Sequence, residues 1–441
     1  MYGGPDAVAY FVRETRKSTW FTIVPVVLSR ASGQPQFGQE WSVTISRAGD
    51  YLVQTWLRVT IPEVQLAPTN AYAADGRLRW TRNLMHNLVR ECAITFNDLV
   101  AARFDNYHLD LWTAFTVPAG KRLGYNNMVG NIAELISPHD SNTPIPSVTL
   151  NLPLPFFYTR DSGVALPTAS LPYNDIRITF SFRSWQDLLI LDNVGVVPPG
   201  TPTSTVPQSR DLVVSEPQLQ CVQVWSNYAI VSSDERKRMA CAPRDILIEQ
   251  VQTAPIQTYI PAQNPMPSYD IRFSHSIKAL FFACRNKTTP SEWSNYSTAS
   301  PIPTATGINF YPPNAVDPIL NTSLIYESTS RLACMGSDYY SLVNPYYHAP
   351  VIPLETGYHV YSYSLDFFCL DPMGSTNYGK LTNVSIVPQA SPKAVEASTG
   401  IQTNPDGTTT PIAVQKFDFI TTAVNYNIVR ISGGALGFPV L

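Results

Sequence analysis

Six histidines, His86, His108, His139, His275, His348 and His359, are the residues of this 441-residue chain best suited to acid–base or metal chemistry. A zinc site needs several convergent ligands, usually announced by close His or Cys spacing. No H-x-H or H-E-x-x-H pattern occurs, and no histidine has a carboxylate at ligand spacing. His275, in RFSHSIKALFF, reads as a strand residue with a satisfied hydrogen bond. Asp161-Ser162-Gly163 could form a nucleophile turn, and Asp338-Tyr339-Tyr340 is a second acidic candidate. A nucleophile elbow requires G-x-S-x-G, and glycoside hydrolysis requires two carboxylates flanking the bond. Neither is present, so both stretches are expected to be loop chemistry. GGALG, from Gly433 to Gly437, follows a strand as a phosphate loop would. Only four residues remain after it, too few for a helix N-terminus to face a phosphate, so a packed or flexible terminus is expected. Cys92, Cys221, Cys241, Cys284, Cys334 and Cys369 include no C-x-x-C pair and read as core thiols of a reducing compartment. The expectation is no catalytic, metal or cofactor site. Four N-x-S/T sequons, at Asn286, Asn295, Asn321 and Asn383, are candidate glycosylation sites. No secretory signal is evident in MYGGPDAVAYFVRETRK, so chance matches are expected.

Composition narrows the classes further. Charged residues make up 14%, against roughly 25% in typical soluble domains, while apolar residues reach 44%. A surface so short of charge suits a chain largely covered by partners. A net charge of −3 with no basic stripe argues against coating nucleic acid. No run of about 18 uninterrupted apolar residues is present, the length a membrane helix needs. The stretch LNLPLPFFYTRDSGVALPTASLPYNDIRITFSF, Leu150 to Phe182, is apolar enough to suggest a membrane hairpin. Its prolines would strand carbonyls in lipid, and Arg160-Asp161 would be costly there. What remains is a ligand-gripping loop, or two buried strands joined by a proline-stiffened bridge in which Gly163 closes a turn.

Alternation at period two dominates the elements that must position these residues. In YLVQTWLRVTI, Tyr51 to Ile61, Leu52, Gln54, Trp56 and Arg58 fall on one face and Val53, Thr55, Leu57 and Val59 on the other. Similar runs cover 21–28, 42–46, 177–182, 220–231, 246–253, 277–284, 359–368, 381–387 and 417–431. ECAITFNDLVAARF predicts a hairpin turning at Asn97-Asp98. Helices are expected over Arg103–Phe115 and from Ser232, which has capping-box spacing to Glu235. DERKRM, Asp234 to Met239, is then a solvated helical face bridging two domains, or an intersubunit salt-bridge network. Asn193–Gln208, Thr288–Pro318 and Pro388–Pro411 are rich in Pro, Ser and Thr and read as exposed loops. With 38 prolines, many short strands point to sandwiches or barrels.

A faint repeat organises the whole. FFYTRDSG…LPYNDIRI is echoed by FFCLDPMGS…KLTNVSIV, each with a Phe pair, an Asp, a turn and an Asn opening a strand. An apolar strand lies upstream of each, at Tyr51 and at Ile277, followed by a long insertion. Two homologous β-domains in tandem explain the order.

FVRETRKSTWFT, FGQEWSVTISRAGDYL, LPLPFFYTRDSGVALP, SDERKRMA with DILIEQVQ, and GSTNYGKLTN with NIVRISGG together resemble the major capsid proteins of large icosahedral DNA viruses, closest to the iridovirus type. The resemblance runs from about Tyr10 to Leu441; the three loops named above carry none of it. It implies an all-β chain of two tandem eight-stranded jelly rolls with a few short helices. It also implies homotrimeric, pseudo-hexagonal capsomers tiled into an icosahedral shell in the virion, assembled in the host cytoplasm. Neighbouring capsomers, minor and vertex capsid proteins and an internal membrane layer are the implied partners, with no direct contact to nucleic acid. Some relatives are glycosylated by virus-encoded routes, and relatives carry a short segment before the MYGG start. The expected organisation is an arm over 1–10, a first roll over 11–233, a helical connector over 234–244 and a second roll over 245–441. The rivals are a two-domain jelly-roll hydrolase or amidase, which needs paired carboxylates, and a jelly-roll glycan-binding attachment module, for which 23 tyrosines and long loops would suit.

Overall fold

The computed structural model describes residues 10–11, 19–312, 315–404 and 406–438. Expectations falling on 1–9 and 12–18 lie outside it. Eight principal strands occupy the first half: β1 (Phe21–Val27), β2 (Glu40–Thr44), β3 (Tyr51–Ile61), β4 (Val89–Phe96), β5 (Leu99–Asp105), β6 (Val148–Pro153), β7 (Ile176–Phe182) and β8 (Gln220–Val231). They pair antiparallel in two sheets, ordered β1-β8-β3-β6 and β2-β7-β4-β5. Eight more fill the second half: β9 (Arg244–Thr253), β10 (Tyr269–Asp270), β11 (Ser276–Asn286), β12 (Ile319–Tyr326), β13 (Thr329–Gly336), β14 (His359–Ser362), β15 (Val384–Ala390) and β16 (Phe417–Ser432). Their sheets run β9-β16-β11-β14 and β10-β15-β12-β13. Counted within each half, both sets follow the order 1-8-3-6 and 2-7-4-5. That wrapping is a jelly roll, made twice.

The repeat seen in the sequence marks one topological position. Each Phe pair follows the sixth strand of its roll, and Asn174 and Asn383 sit just before the seventh. The bridge from Leu150 to Phe182 is therefore the end of β6, three short 3-10 turns and β7. Leu150, Leu152, Leu154, Phe156, Phe157 and Tyr158 are buried in the first core. Gly163 does its work without a left-handed backbone. The Asp161 carboxylate accepts from the Gly163 N–H, closing an Asx-type turn.

Several expectations are corrected. β5 runs on through Asp105, so the helix α1 is Asn106–Thr116, begun by the Asp105 carboxylate accepting from the His108 N–H at 2.9 Å. It is followed by α2 (Ala119–Val129). The connector helix α3 spans Ser233–Cys241, and Ser232 sits at its N-cap without the side-chain bond of a capping box. The strand expected over 359–368 stops at Ser362, and the one expected over 381–387 runs instead from Val384 to Ala390. His275 is not in a strand; it lies exposed before β11 in a left-handed backbone with φ +63°. The hairpin β12–β13 went unforeseen because its turn is Glu327-Ser328, both at positive φ (48° and 66°), where Asn or Gly is the usual signal. The Asn97-Asp98 hairpin uses the same geometry (48° and 66°) and was legible.

The loops differ too. Pro388–Pro411 contains the end of β15 and a helix, Pro392–Thr399, capped by Ser391. Thr289, Ser291, Glu292 and the run from Ser294 to Ala299 are buried rather than exposed. The tail is packed: Gly433 and Gly434, both at positive φ, turn β16 back on Ala435–Gly437, and the Leu436 N–H donates to Asn174 of the first roll.

Candidate assembly interface

Burial patterns along the strands locate the important surfaces. In a sheet with one face in solvent, burial alternates; β3 does so for most of its length. β11 is buried from Ile277 to Asn286 and β16 from Phe417 to Tyr426, both faces at once. Inward, Leu280, Phe282, Phe419 and Ala423 fill the second core. Outward, Ala279, Phe281, Ala283, Val360, Ile420 and Val424 meet α1 from the first roll. Tyr107, Leu111, Trp112 and Phe115 recur at helical spacing, so α1 presents one continuous apolar stripe to that sheet. Trp112 stands edge-on to Phe281 at 6.1 Å and to Phe367 at 6.0 Å, and Phe115 lies 5.8 Å from Phe281.

Polar networks lock the same joint. Arg79 donates to Asp192 at 2.7 Å and to Glu292 at 2.9 Å, and Arg82 reaches the other Glu292 oxygen at 3.1 Å. Burial alone would protonate Glu292, but the two guanidinium groups outweigh it and hold the carboxyl below its ordinary range. Trp293, the next residue, lies between Arg183 of the first roll and Arg285 of the second, at 3.7 and 3.8 Å from its ring centre. Asp110 on α1 accepts from Ser294 at 2.8 Å and Tyr296 at 3.0 Å, while its other oxygen meets His86 at 2.6 Å. A third cluster joins Glu249 to Arg160 at 2.7 Å and to the buried Lys278. Burial pushes Lys278 below its ordinary pKa despite Glu249. His108, stacked on Trp112, is driven by burial, with help from Arg160, down to about 3, and is therefore neutral at pH 7.

The equivalent sheet of the first roll is bare on its outer face among the described residues. Trp56 and Trp225, paired across β3 and β8, stack at 6.3 Å, flanked by exposed Pro153 and by Ile23 and Val27 on the edge strand β1.

The chain carrying these surfaces matches known proteins along its length. The family profile described as large eukaryotic DNA virus major capsid protein matches residues 235–437, and that of the major capsid protein N-terminus matches residues 9–231. Major capsid proteins of Wiseana iridescent virus (64% identity, 98% of this chain and 89% of the relative) and Costelytra zealandica iridescent virus (63%, 100% and 95%) are similar throughout. That of Rana tigrina ranavirus is 44% identical over 100% of this chain and 95% of its own. The chain belongs to the major capsid protein family of large DNA viruses. Its fold is shared with the PBCV-1 capsid protein VP54 (TM-score 0.74, 19% identity, 98% of this chain and 100% of that one). The Faustovirus major capsid protein is also similar (0.71, 12%, 97% and 93%).

This capsid chain is thus a structural, non-enzymatic protein that forms a viral shell, and the hydrolase and glycan-binding alternatives fall away. The candidate residues agree with scaffold roles. Asp161 caps its turn, and the Tyr340 hydroxyl donates to the Thr322 carbonyl at 3.1 Å inside the second roll. His86 and His359 do meet carboxylates, Asp110 and Asp317, which sequence spacing could not show. Among the described residues no three His, Cys, Asp or Glu side chains converge as metal ligands. The three motif-free loops converge on one cavity of about 400 Å³, lined by Pro198, Thr203, Ile302 and Ile401 among others. Asn286 and Asn295 are buried, their carboxamides donating to Ser297 and Ala299 carbonyls, whereas Asn321 lies within β12 and Asn383 is exposed. α3 has no buried residue; its Arg236 pairs with the buried Asp50 at 2.7 Å. The residues that join the rolls, Arg79, Glu292, Trp293 and Trp112, escaped sequence reading. A charged Glu-Trp inside a polar stretch, SEWSNYS, was the available signal.

Proposed function

We propose that three copies of this capsid chain associate as a pseudo-hexagonal capsomer, six similar rolls under threefold symmetry, and that capsomers tile the shell edge to edge. The observation that carries it is the identical strand order of the two rolls, which lets three chains supply six similar corners. The organisation proposed is an arm over 1–10, a first roll over 11–233, a connector over 234–244 and a second roll over 245–441. The family profiles ending at 231 and resuming at 235 support it, as does the position of α3. Limited proteolysis tests it, with cuts expected in 193–208 and in the exposed part of 288–318 before any in the connector. Minor and vertex proteins, an underlying membrane layer and cytoplasmic assembly are expectations drawn from the resemblance; the net charge of −3 supports a shell without direct nucleic-acid contact. Of the four sequons, Asn383 has the accessibility a glycan needs, and intact-mass measurement of virion protein checks it. Light scattering at falling concentration tests the capsomer. A trimer persisting to nanomolar chain is expected, since obligate interfaces bury on the order of 2,000–5,000 Å². A monodisperse monomer of 48.9 kDa would sink the reading.

A further inference from the structure

The joint inside the chain is directional: a helix on one roll seats on the outer sheet face of the next. α1 begins directly after β5, the fifth strand of the first roll. The second roll carries a counterpart at the same topological place. After its fifth strand, β13, the chain makes one π-turn at Tyr339–Val343 and a short helix at Asn344–His348. One side of this segment is anchored in its own roll. Tyr340, Asn344 and Pro345 are buried, and the Asn344 carboxamide oxygen accepts from the Ser362 N–H at 3.1 Å. The other side carries Leu342, Val343, Tyr346 and Tyr347, exposed by 51, 42, 70 and 70%. Their spacing of i, i+1, i+4 and i+5 makes one apolar stripe, as Tyr107, Leu111, Trp112 and Phe115 do on α1. Within the described residues nothing covers it.

The bare receiving face is equally well matched by place. In the covered sheet the centre is Phe281 on β11, paired with Thr422 on β16. In the bare sheet the same crossing of third and eighth strands holds Trp56 and Trp225. We propose that the Tyr339–His348 helix of one copy seats on the β1-β8-β3-β6 face of a second copy, against Trp56, Trp225, Ile23 and Val27. The inference rests on the trimeric reading above and names its contact. Head-to-tail contacts close a ring when the rotation allows it. Here each chain supplies one such contact internally and one to its neighbour, so three chains make a ring of six alike.

Directionality gives the test. A helix variant, Tyr346→Asp with Tyr347→Asp, and a face variant, Ile23→Asp with Val27→Asp, change only exposed residues, and each should keep the wild-type melting temperature. Each alone should be monomeric by light scattering where wild type is a trimer, with a dissociation constant raised at least about a hundredfold. Mixed, they retain one intact helix and one intact face between them, so they should form a heterodimer and never a closed trimer. Either variant remaining trimeric, a mixture that restores trimers, or a concentrated mixture with no heterodimer overturns the inference while leaving the trimer standing. A monomeric wild type would instead remove the trimer and this contact together.

Discussion

The sheets built from the first, third, sixth and eighth strands of each roll share one topology and differ in what lies on them. On the second roll's sheet, α1 covers the outer face: Ala279, Phe281 and Ala283 pack under it, and the polar side chains among them, Thr422 and Arg285, are buried as well, Arg285 donating to Tyr107 of α1. On the first roll's sheet the outer positions keep Gln54, Arg58, Thr60 and Asn227, with Asn227 bonded to Gln54 across the strands, around an aromatic centre. A face met within the chain can be apolar at its centre and bury the few polar groups it keeps, because it never sees water after folding. A face held open until a partner arrives must stay soluble meanwhile, and a polar rim around Trp56 and Trp225 does that. Under the proposed contact, one face is a folding interface and its twin an assembly interface on one scaffold.

Breaking the covered side should cost most. Glu292→Ala leaves Arg82 without its buried carboxylate and Arg79 with one partner of two, and about 3–5 kcal/mol should be lost in denaturant unfolding. A loss below about 1 kcal/mol would mean that Asp192 and Tyr311 suffice. Trp112→Ala empties the centre of the joint and should cost a similar 3–5 kcal/mol. Trp225→Ala, at the matching place on the open side, should cost the isolated chain only about 1 kcal/mol. Equal costs for the two tryptophans would erase the distinction drawn here.

Acid offers a gentler probe of the covered side. His108 has its folded pKa lowered from 6.5 to about 3 by burial. Above pH 6.5 the ring is neutral in both states and contributes no slope. Between 6.5 and about 3 the unfolded chain binds a proton that the folded chain refuses, so stability falls as pH falls, by about 1.4 kcal/mol per unit. His108→Phe should remove that slope, as the ring's Nδ1 has no partner to lose. Identical pH profiles for the two proteins would refute the assignment. The smallest effect expected is none: dialysis against a chelator should leave melting temperature and assembly unchanged, and a stoichiometric metal whose removal shifts melting would contradict it.

Local pattern was enough for much of this fold. Period-two alternation in Tyr51–Ile61, the Asn97-Asp98 turn and the paired Phe motifs before Asn174 and Asn383 are short-range signals, each set by its own residues. From them two β-domains in tandem were legible; the jelly rolls and the family came from the resemblance carried by FGQEWSVTISRAGDYL, SDERKRMA and the other motifs. Where local signals were weak or ambiguous, the reading slipped, as at the Glu327-Ser328 turn and the helix at Pro392–Thr399. The joint was beyond it for a different reason. Glu292 lies far along the chain from Arg79 and Arg82, and nothing in SEWSNYS says that two arginines will arrive from another roll. Whether a face is a core, a joint or a docking surface depends on what is packed over it. Only the tertiary structure, by laying α1 across one sheet and leaving its twin open, decided which was which.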